Sequence, residues 1–217
     1  MFDWVTHTWN TVKGACPHGC HYCYMKKWGE QPEMKFDENE LKTNLGWGNT
    51  IFVGSSCDLF AKEVDREWIE RTLEKCRQHD NTYFFQTKNP DRAYWHKDQL
   101  PENSIIGTTI ESDRIFKEMG SAPGPFVRAK SILMIKDTGF RTTITIEPIM
   151  DFNIELFTRM IKNCCPDFVS IGANTMNKIA IVEPSHEKIE ALILYLNEKT
   201  NIEVKIKDNL KRLWRAS

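Results

Sequence analysis

The stretch Gly14-Ala15-Cys16-Pro17-His18-Gly19-Cys20-His21-Tyr22-Cys23-Tyr24 decides how the rest of the chain is read. Its three cysteines stand at a three-then-two spacing. Thiolates so placed wrap the corners of an iron–sulfur cubane from one short loop, with Gly14 and Gly19 permitting tight turns and Pro17 stiffening the path. Three ligands leave the fourth iron open, which a cluster must have if a second cofactor is to coordinate it. The alternative is a zinc site with His18 or His21 as the fourth ligand. Zinc knuckles and ribbons pair two ligands with a second pair further along, and no such pair follows.

Outward from this loop the sequence alternates. Apolar, β-rich runs at Thr50–Gly54, Thr82–Gln86, Ser104–Ile110, Thr142–Ile146 and Phe168–Ile171, with a weaker one at Glu203–Ile206, predict strands. Trp4–Val12 supplies the first. Between them, Asp65–His79, Val127–Thr138, Asn153–Asn163 and Ser185–Lys199 carry apolar residues at three- and four-residue spacing and predict helices. Strands alternating with helices mean repeated βαβ units and a parallel sheet. At 217 residues the chain is short for a closed eight-unit barrel of about 250. A single domain built as an open, partial (βα)6 TIM-like barrel fits better, its core at about 4–174 and a C-terminal helix and basic tail at about 185–217. In such a sheet the working residues gather at the carboxyl ends of the strands.

Composition sets the outer limits. The hydrophobic share is 41%, the charged share 27% and the net charge −1, an ordinary globular balance with no global field toward polyanions. No apolar run is long enough to span a membrane, and the N-terminus has neither the basic start nor the apolar stretch of a signal peptide, so a cytoplasmic protein is expected. Seven cysteines in that setting are not a disulfide framework. From Lys205 to Ser217 the cations Lys205, Lys207, Lys211, Arg212 and Arg215 face the single acid Asp208, a local charge of +4. That tail either touches a polyanion or forms a solvated C-terminal helix with Trp214 packed on the body.

The CxxxCxxC loop, with an aromatic residue before its last cysteine and a β/α series after it, resembles the radical SAM superfamily. The segments Phe52-Val-Gly-Ser-Ser-Cys-Asp-Leu-Phe60, Phe85-Gln-Thr-Lys-Asn-Pro90, Ile106-Gly-Thr-Thr-Ile-Glu-Ser112 and Ile146-Glu-Pro-Ile-Met-Asp151 are similar, more narrowly, to a subgroup with many phage-encoded members. The resemblance implies that Cys16, Cys20 and Cys23 hold a [4Fe–4S] cluster whose open iron binds S-adenosylmethionine (SAM). An electron from the cluster would cleave the cofactor, and the 5′-deoxyadenosyl radical would take a hydrogen atom from a substrate. It also implies Tyr22 against the adenine and the backbone beside Tyr24 reading its edge, although both rings could simply pack the loop.

The remaining candidates stand at predicted strand ends. Where the superfamily commonly has a Gly-Gly-Glu-like turn for the cofactor's amino group, this chain departs from it and offers Ser55, Ser56 and Asp58; Asp58 could instead cap the next turn. Lys88 at a barrel mouth suits a carboxylate or phosphate. Glu111 and Ser112 stand where the resemblance implies ribose contacts, and Arg128 where it implies a cation for the cofactor's carboxylate, its alternative being a surface arginine. Glu147, fixed before Pro148, and Asn174 are further cofactor or substrate candidates. Cys57 is either a hydrogen donor to a substrate radical or a small buried hydrophobe.

The substrate is not named by these residues. An open barrel and a basic tail point to nucleic acid or a nucleotide, and an electron donor such as flavodoxin or ferredoxin is implied by the resemblance. The other functional class is a non-catalytic iron–sulfur or zinc interaction module.

Overall fold

The computed structural model describes residues 2–176 and 179–214. Fourteen regular elements follow one another: β1 (His7–Trp9), β2 (Val12–Lys13), β3 (Lys35–Phe36), β4 (Thr50–Val53), α1 (Arg66–Arg77), β5 (Thr82–Thr87), α2 (Pro90–Trp95), β6 (Ser104–Thr109), α3 (Pro125–Lys136), β7 (Arg141–Ile146), α4 (Ile154–Asn163), β8 (Phe168–Ile171), α5 (His186–Lys199) and β9 (Glu203–Ile206). Side-chain caps set the helix starts: Asp65 accepts from the Glu67 N–H, Asn153 from Leu156 and Ser185 from Lys188. Helices α2 and α3 open instead on Pro90 and Pro125, whose missing N–H costs nothing there.

Seven strands form one sheet in the order β1-β4-β5-β6-β7-β8-β9, and every neighbouring pair is parallel. β1 and β9 are its two edges and do not pair, so the barrel is open. This is the partial (βα)6 architecture expected from the alternation, and β9 completes it from the C-terminal segment.

Alternation along the strands separates two cores. Ile51, Val53, Tyr83, Phe85, Ile106, Ile144 and Val169 face outward and pack under the helices with Ile69, Leu73, Ile132 and Phe157. Each such side chain fully buried contributes about 1.5–3 kcal/mol. Phe84, Ile105 and Phe168 point the other way, into the barrel, where Phe2, Trp4, Val5 and Phe52 close over them. Phe2 and Trp4 therefore fill the barrel interior; the expected strand Trp4–Val12 is cut to His7–Trp9 at one end by that packing. At the other end Asn10 leaves the ladder, because its side chain accepts from the Ser56 N–H at 2.9 Å and the Ser55 hydroxyl at 3.1 Å. β2 then pairs with β3 in a separate antiparallel ribbon.

The C-terminal segment is not a helix throughout: after α5 it gives β9 and a short 3-10 turn at Asp208–Arg212. Trp214 packs against the main core. The cations of this segment are largely paired, Lys211 with Asp208 at 2.7 Å, Lys205 with Glu203 at 3.6 Å, Arg212 with Glu183 and Lys207 with Glu147. The +4 of the tail is thus mostly spent within the fold; Arg215 lies outside the described residues. Among the described residues no helix is long and apolar enough to cross a membrane.

Candidate functional site

A cavity of about 720 Å³ opens at the carboxyl edge of the sheet. One wall is the cysteine loop, with Cys16, Cys20 and Cys23 all lining it; facing residues come from the ends of β4, β5, β7 and β8 and from Lys207 beyond β9. The topology produces this meeting, because parallel strands deliver every following loop to one edge.

The cysteine loop is held from several sides. The His21 N–H donates to the Glu118 carbonyl and the Ser121 N–H to the His18 carbonyl, each at 2.8 Å. Gly120, at φ +67°, makes this approach possible: a Cβ there would lie 2.0 Å from the His18 oxygen. His18 Nε2 pairs with Asp58 Oδ2 at 2.8 Å. That same oxygen accepts from the Lys88 N–H at 2.8 Å and the Thr87 hydroxyl at 3.0 Å, while Oδ1 accepts from the Phe60 N–H at 3.0 Å. Burial opposes ionisation of Asp58, yet the His18 ring and these donors outweigh it and hold the carboxyl below its usual range. Burial likewise opposes a charged His18, and Asp58 overrides it, raising the ring's pKa. Asp58 caps its own turn and clamps the cysteine loop to β5; its oxygens are already engaged.

The thiols differ from one another. The neighbouring Cys57 thiol favours the Cys16 thiolate against the effect of burial. Cys57 itself is raised by the adjacent Cys16 and by burial, and is 1% exposed. Burial pushes Cys20 and Cys23 up as well. Iron at these sulfurs would reverse that preference, since a coordinating thiol is deprotonated outright. Among the described residues no three His, Cys, Asp or Glu side chains converge at the distance of a single metal ion. His18 is committed to Asp58, and His21 is exposed on the loop's outer side.

Behind the loop lies a buried charge network. Glu111 is completely buried; its Oε1 accepts from Lys88 Nζ at 2.5 Å and from the Tyr22 hydroxyl, and its Oε2 lies 2.8 Å from Arg128 Nη1. Arg128 is equally buried and also donates to the Thr109 carbonyl, so it is not a surface arginine. Burial opposes the Glu111 carboxylate, but Lys88 and Arg128 hold its pKa down to about 2. Burial and the adjacent Glu111 push the Tyr22 phenol far up. Lys88 lies over the Tyr22 ring, 5.2 Å from its centre, and lines the cavity. Glu111, Ser112 and Arg128 do not line it. Ser112 donates to the Asp151 carbonyl at 2.7 Å and shapes its own loop.

The other candidates divide similarly. Ser56 lines the cavity with a buried hydroxyl that has no partner among the described residues. Ser55 bonds Asn10, and its carbonyl accepts from the Tyr24 hydroxyl. Glu147 lines the cavity gripped by Lys207 and by Asn209 Nδ2 at 2.6 Å. Gly172 is needed beside them, because a Cβ would come within 2.8 Å of both Glu147 Oε1 and Asn209 Oδ1. Asn174 reaches the wall but spends its amide on the Met176 and Ile179 carbonyls.

Sequence reading missed Asn10, Lys207, Asn209 and a polar chain inside the barrel. Gln86 Nε2 donates to Thr109 Oγ1 at 2.9 Å, and Thr145 Oγ1 donates to Gln86 Oε1 at 3.1 Å, joining β5, β6 and β7 beneath the cavity. Threonines in otherwise apolar strands were the available signal.

Comparison of folds gives three instructive matches. A spore photoproduct lyase mutant superposes with TM-score 0.65 at 12% identity, over 91% of this chain and 76% of that one. A mutant of that lyase with bound AdoMet and dinucleoside spore photoproduct gives 0.57 at 12%, over 87% and 60%. Methylornithine synthase gives 0.55 at 13%, over 92% and 71%. At these identities the likeness is one of fold, an open, partial TIM-like barrel of parallel strands. No curated protein sequence matches the chain. Residues 1–121 match the family model described as "Protein of unknown function (DUF5131)", more than half of the sequence, and the chain belongs to that family.

Proposed function

We propose that this chain is a radical SAM enzyme in which Cys16, Cys20 and Cys23 hold a [4Fe–4S] cluster and SAM occupies the adjoining cavity. The convergence of those cysteines on one wall of a cavity at the carboxyl edge of an open parallel barrel carries the reading. When bound, the reduced cluster would give one electron to SAM, which would release methionine and supply a 5′-deoxyadenosyl radical to take a hydrogen atom from substrate.

The donor set fits these groups. Three cysteines on one cavity wall, with His18 committed to Asp58 and so not a fourth ligand, suit a cubane with one open iron better than four-coordinate zinc. Ser56 lines the cavity, and its buried hydroxyl, without a partner among the described residues, is an acceptor that an ammonium would satisfy. Lys88 presents a cation to the same cavity for a carboxylate. Tyr22 and Tyr24 provide the aromatic wall.

The remaining residues act by positioning. Asp58 and His18 hold the loop, Glu111 and Arg128 hold Lys88 and Tyr22, and Ser112 and Asn174 shape the loops that carry them. Gln86, Glu147 and Lys207 face the part of the cavity left for substrate. We assign Cys57 to packing beside Cys16. A flavodoxin or ferredoxin would serve as electron donor.

Anaerobic reconstitution with iron and sulfide, reduction with dithionite in the presence of SAM, and measurement of 5′-deoxyadenosine test this. The parent should release it and Cys20→Ala should not. A protein that binds zinc, takes up no cluster and releases none would be a binding module instead.

A further inference from the structure

Directly after Cys23 the chain makes a short 3-10 turn, Tyr24–Trp28, in which no residue is buried. Tyr24, Lys26, Lys27 and Trp28 all line the cavity, and Trp28 is 68% exposed. Lys26 and Lys27 are exposed, and among the described residues neither has an acidic side chain within ion-pair distance. The turn is fixed in place. The Tyr24 hydroxyl donates to the Ser55 carbonyl, and Gln31 Nε2 donates to the carbonyls of Met25 at 3.3 Å and Gly29 at 3.1 Å. Tyr24 and Trp28 sit with ring centres 6.0 Å apart. One acid, Glu30, follows at the outer end of the rim.

An indole held in water on a pinned turn keeps apolar area available for a ligand face. Two unpaired ammonium groups beside it call for anions. Aromatic faces interleaved with cations along the rim of a deep cavity match a ligand that alternates flat rings with phosphates. We propose that the Tyr24–Trp28 turn is a landing platform for single-stranded nucleic acid, which lays a base on Trp28 and phosphates on Lys26 and Lys27 while an adjacent nucleotide enters the cavity. This names a substrate class for the site and rests on the enzyme reading above. It moves the nucleic-acid contact away from the C-terminal tail, whose cations are mostly paired internally. An acidic electron-transfer protein would also meet two lysines, but it has no need of an indole inside the cavity mouth.

The experiment is fluorescence anisotropy of short labelled single-stranded DNA and RNA oligonucleotides, read with the reconstituted protein across a salt series. Binding should weaken with salt. Trp28→Ala should weaken it about 5- to 150-fold, the effect of losing one stacked base. Lys26→Gln with Lys27→Gln should lower the slope of log affinity against log salt by about 1.4, or about 0.7 per phosphate contact. Trp47→Ala, which removes a 70% exposed indole outside the cavity wall, should change nothing. The DNA and RNA arms show which strand is preferred. Absence of binding at low salt would overturn the proposal. So would equal binding by Trp28→Ala and parent, or variants that weaken flavodoxin binding alone. The same preparations are assayed for 5′-deoxyadenosine without any oligonucleotide. Release without strand binding sinks the platform and leaves the enzyme reading intact, and the converse result does the reverse.

Discussion

Lys88 Nζ lies 2.5 Å from Glu111 Oε1, and this carboxylate, wholly buried, also faces the equally buried Arg128. The pair joins the end of β5 to the end of β6, and through the Tyr22 hydroxyl it reaches the cysteine loop. Two cations share one buried anion, so the anion is the member the fold can least spare. Removing it leaves uncompensated buried charge, at a cost of about 3–5 kcal/mol. Glu111→Gln should therefore lower the thermal midpoint by many degrees in a circular dichroism melt. An unchanged midpoint would mean that Lys88 and Arg128 find other partners.

The pH dependence follows from the same residue. The folded carboxyl is held at about 2, below its unfolded value of about 4.3. Its stabilising contribution is thus complete above about pH 4.5 and is lost as pH falls toward the folded value. Between about pH 5 and pH 3 the parent's melting temperature should fall more steeply than that of Glu111→Gln. Parallel curves would assign the acid sensitivity to other carboxylates.

Gly120 and Asp58 both support the cysteine loop at His18. Alanine at Gly120 would drive a Cβ into the His18 carbonyl and would also strain a positive φ. Asp58→Asn would leave His18 without its carboxylate partner. Each variant should retain several-fold less iron after reconstitution and desalting, as read by a colorimetric iron assay. Full iron occupancy in both would show that the cysteines organise themselves.

At the far side of the cavity Lys207 and Asn209 grip Glu147. All three reach solvent in part or sit at the cavity wall, so the stability cost of Lys207→Met should be modest, about 1 kcal/mol. Cluster uptake and 5′-deoxyadenosine release without substrate should stay near the parent's level, because this group is assigned to substrate. A loss of iron would instead tie Lys207 to the cluster side.

Cys57→Ala should keep the cluster and still release 5′-deoxyadenosine, since Cys57 packs at 1% exposure beside Cys16. The measurement is the same nucleoside assay by liquid chromatography. Loss of cluster in this variant would make the Cys57–Cys16 contact a requirement for ligation.

The sequence by itself determined what depends on neighbours along the chain. The cysteine spacing, the caps at Asp65, Asn153 and Ser185, and the strand–helix alternation are local patterns, and the parallel open barrel follows from them. Tertiary structure decided which charges meet. Glu111 stands 17 residues before Arg128 and 23 after Lys88, and Glu147 is 60 residues from Lys207. Only the register of parallel strands brings these to one edge, and no periodicity encodes that register. The same reason explains why Asp58, read as a ligand for an ammonium, is a clamp already filled by His18, Thr87 and Lys88. It also explains why the basic tail, a continuous charge run in the sequence, is mostly neutralised by acids from its own turn and from distant loops. The helix α2 was missed because its Pro90–Trp95 span is too short for a helical period to register. Trp28 could be read as a residue, but its exposure on the cavity rim is set by how the loop before it is pinned.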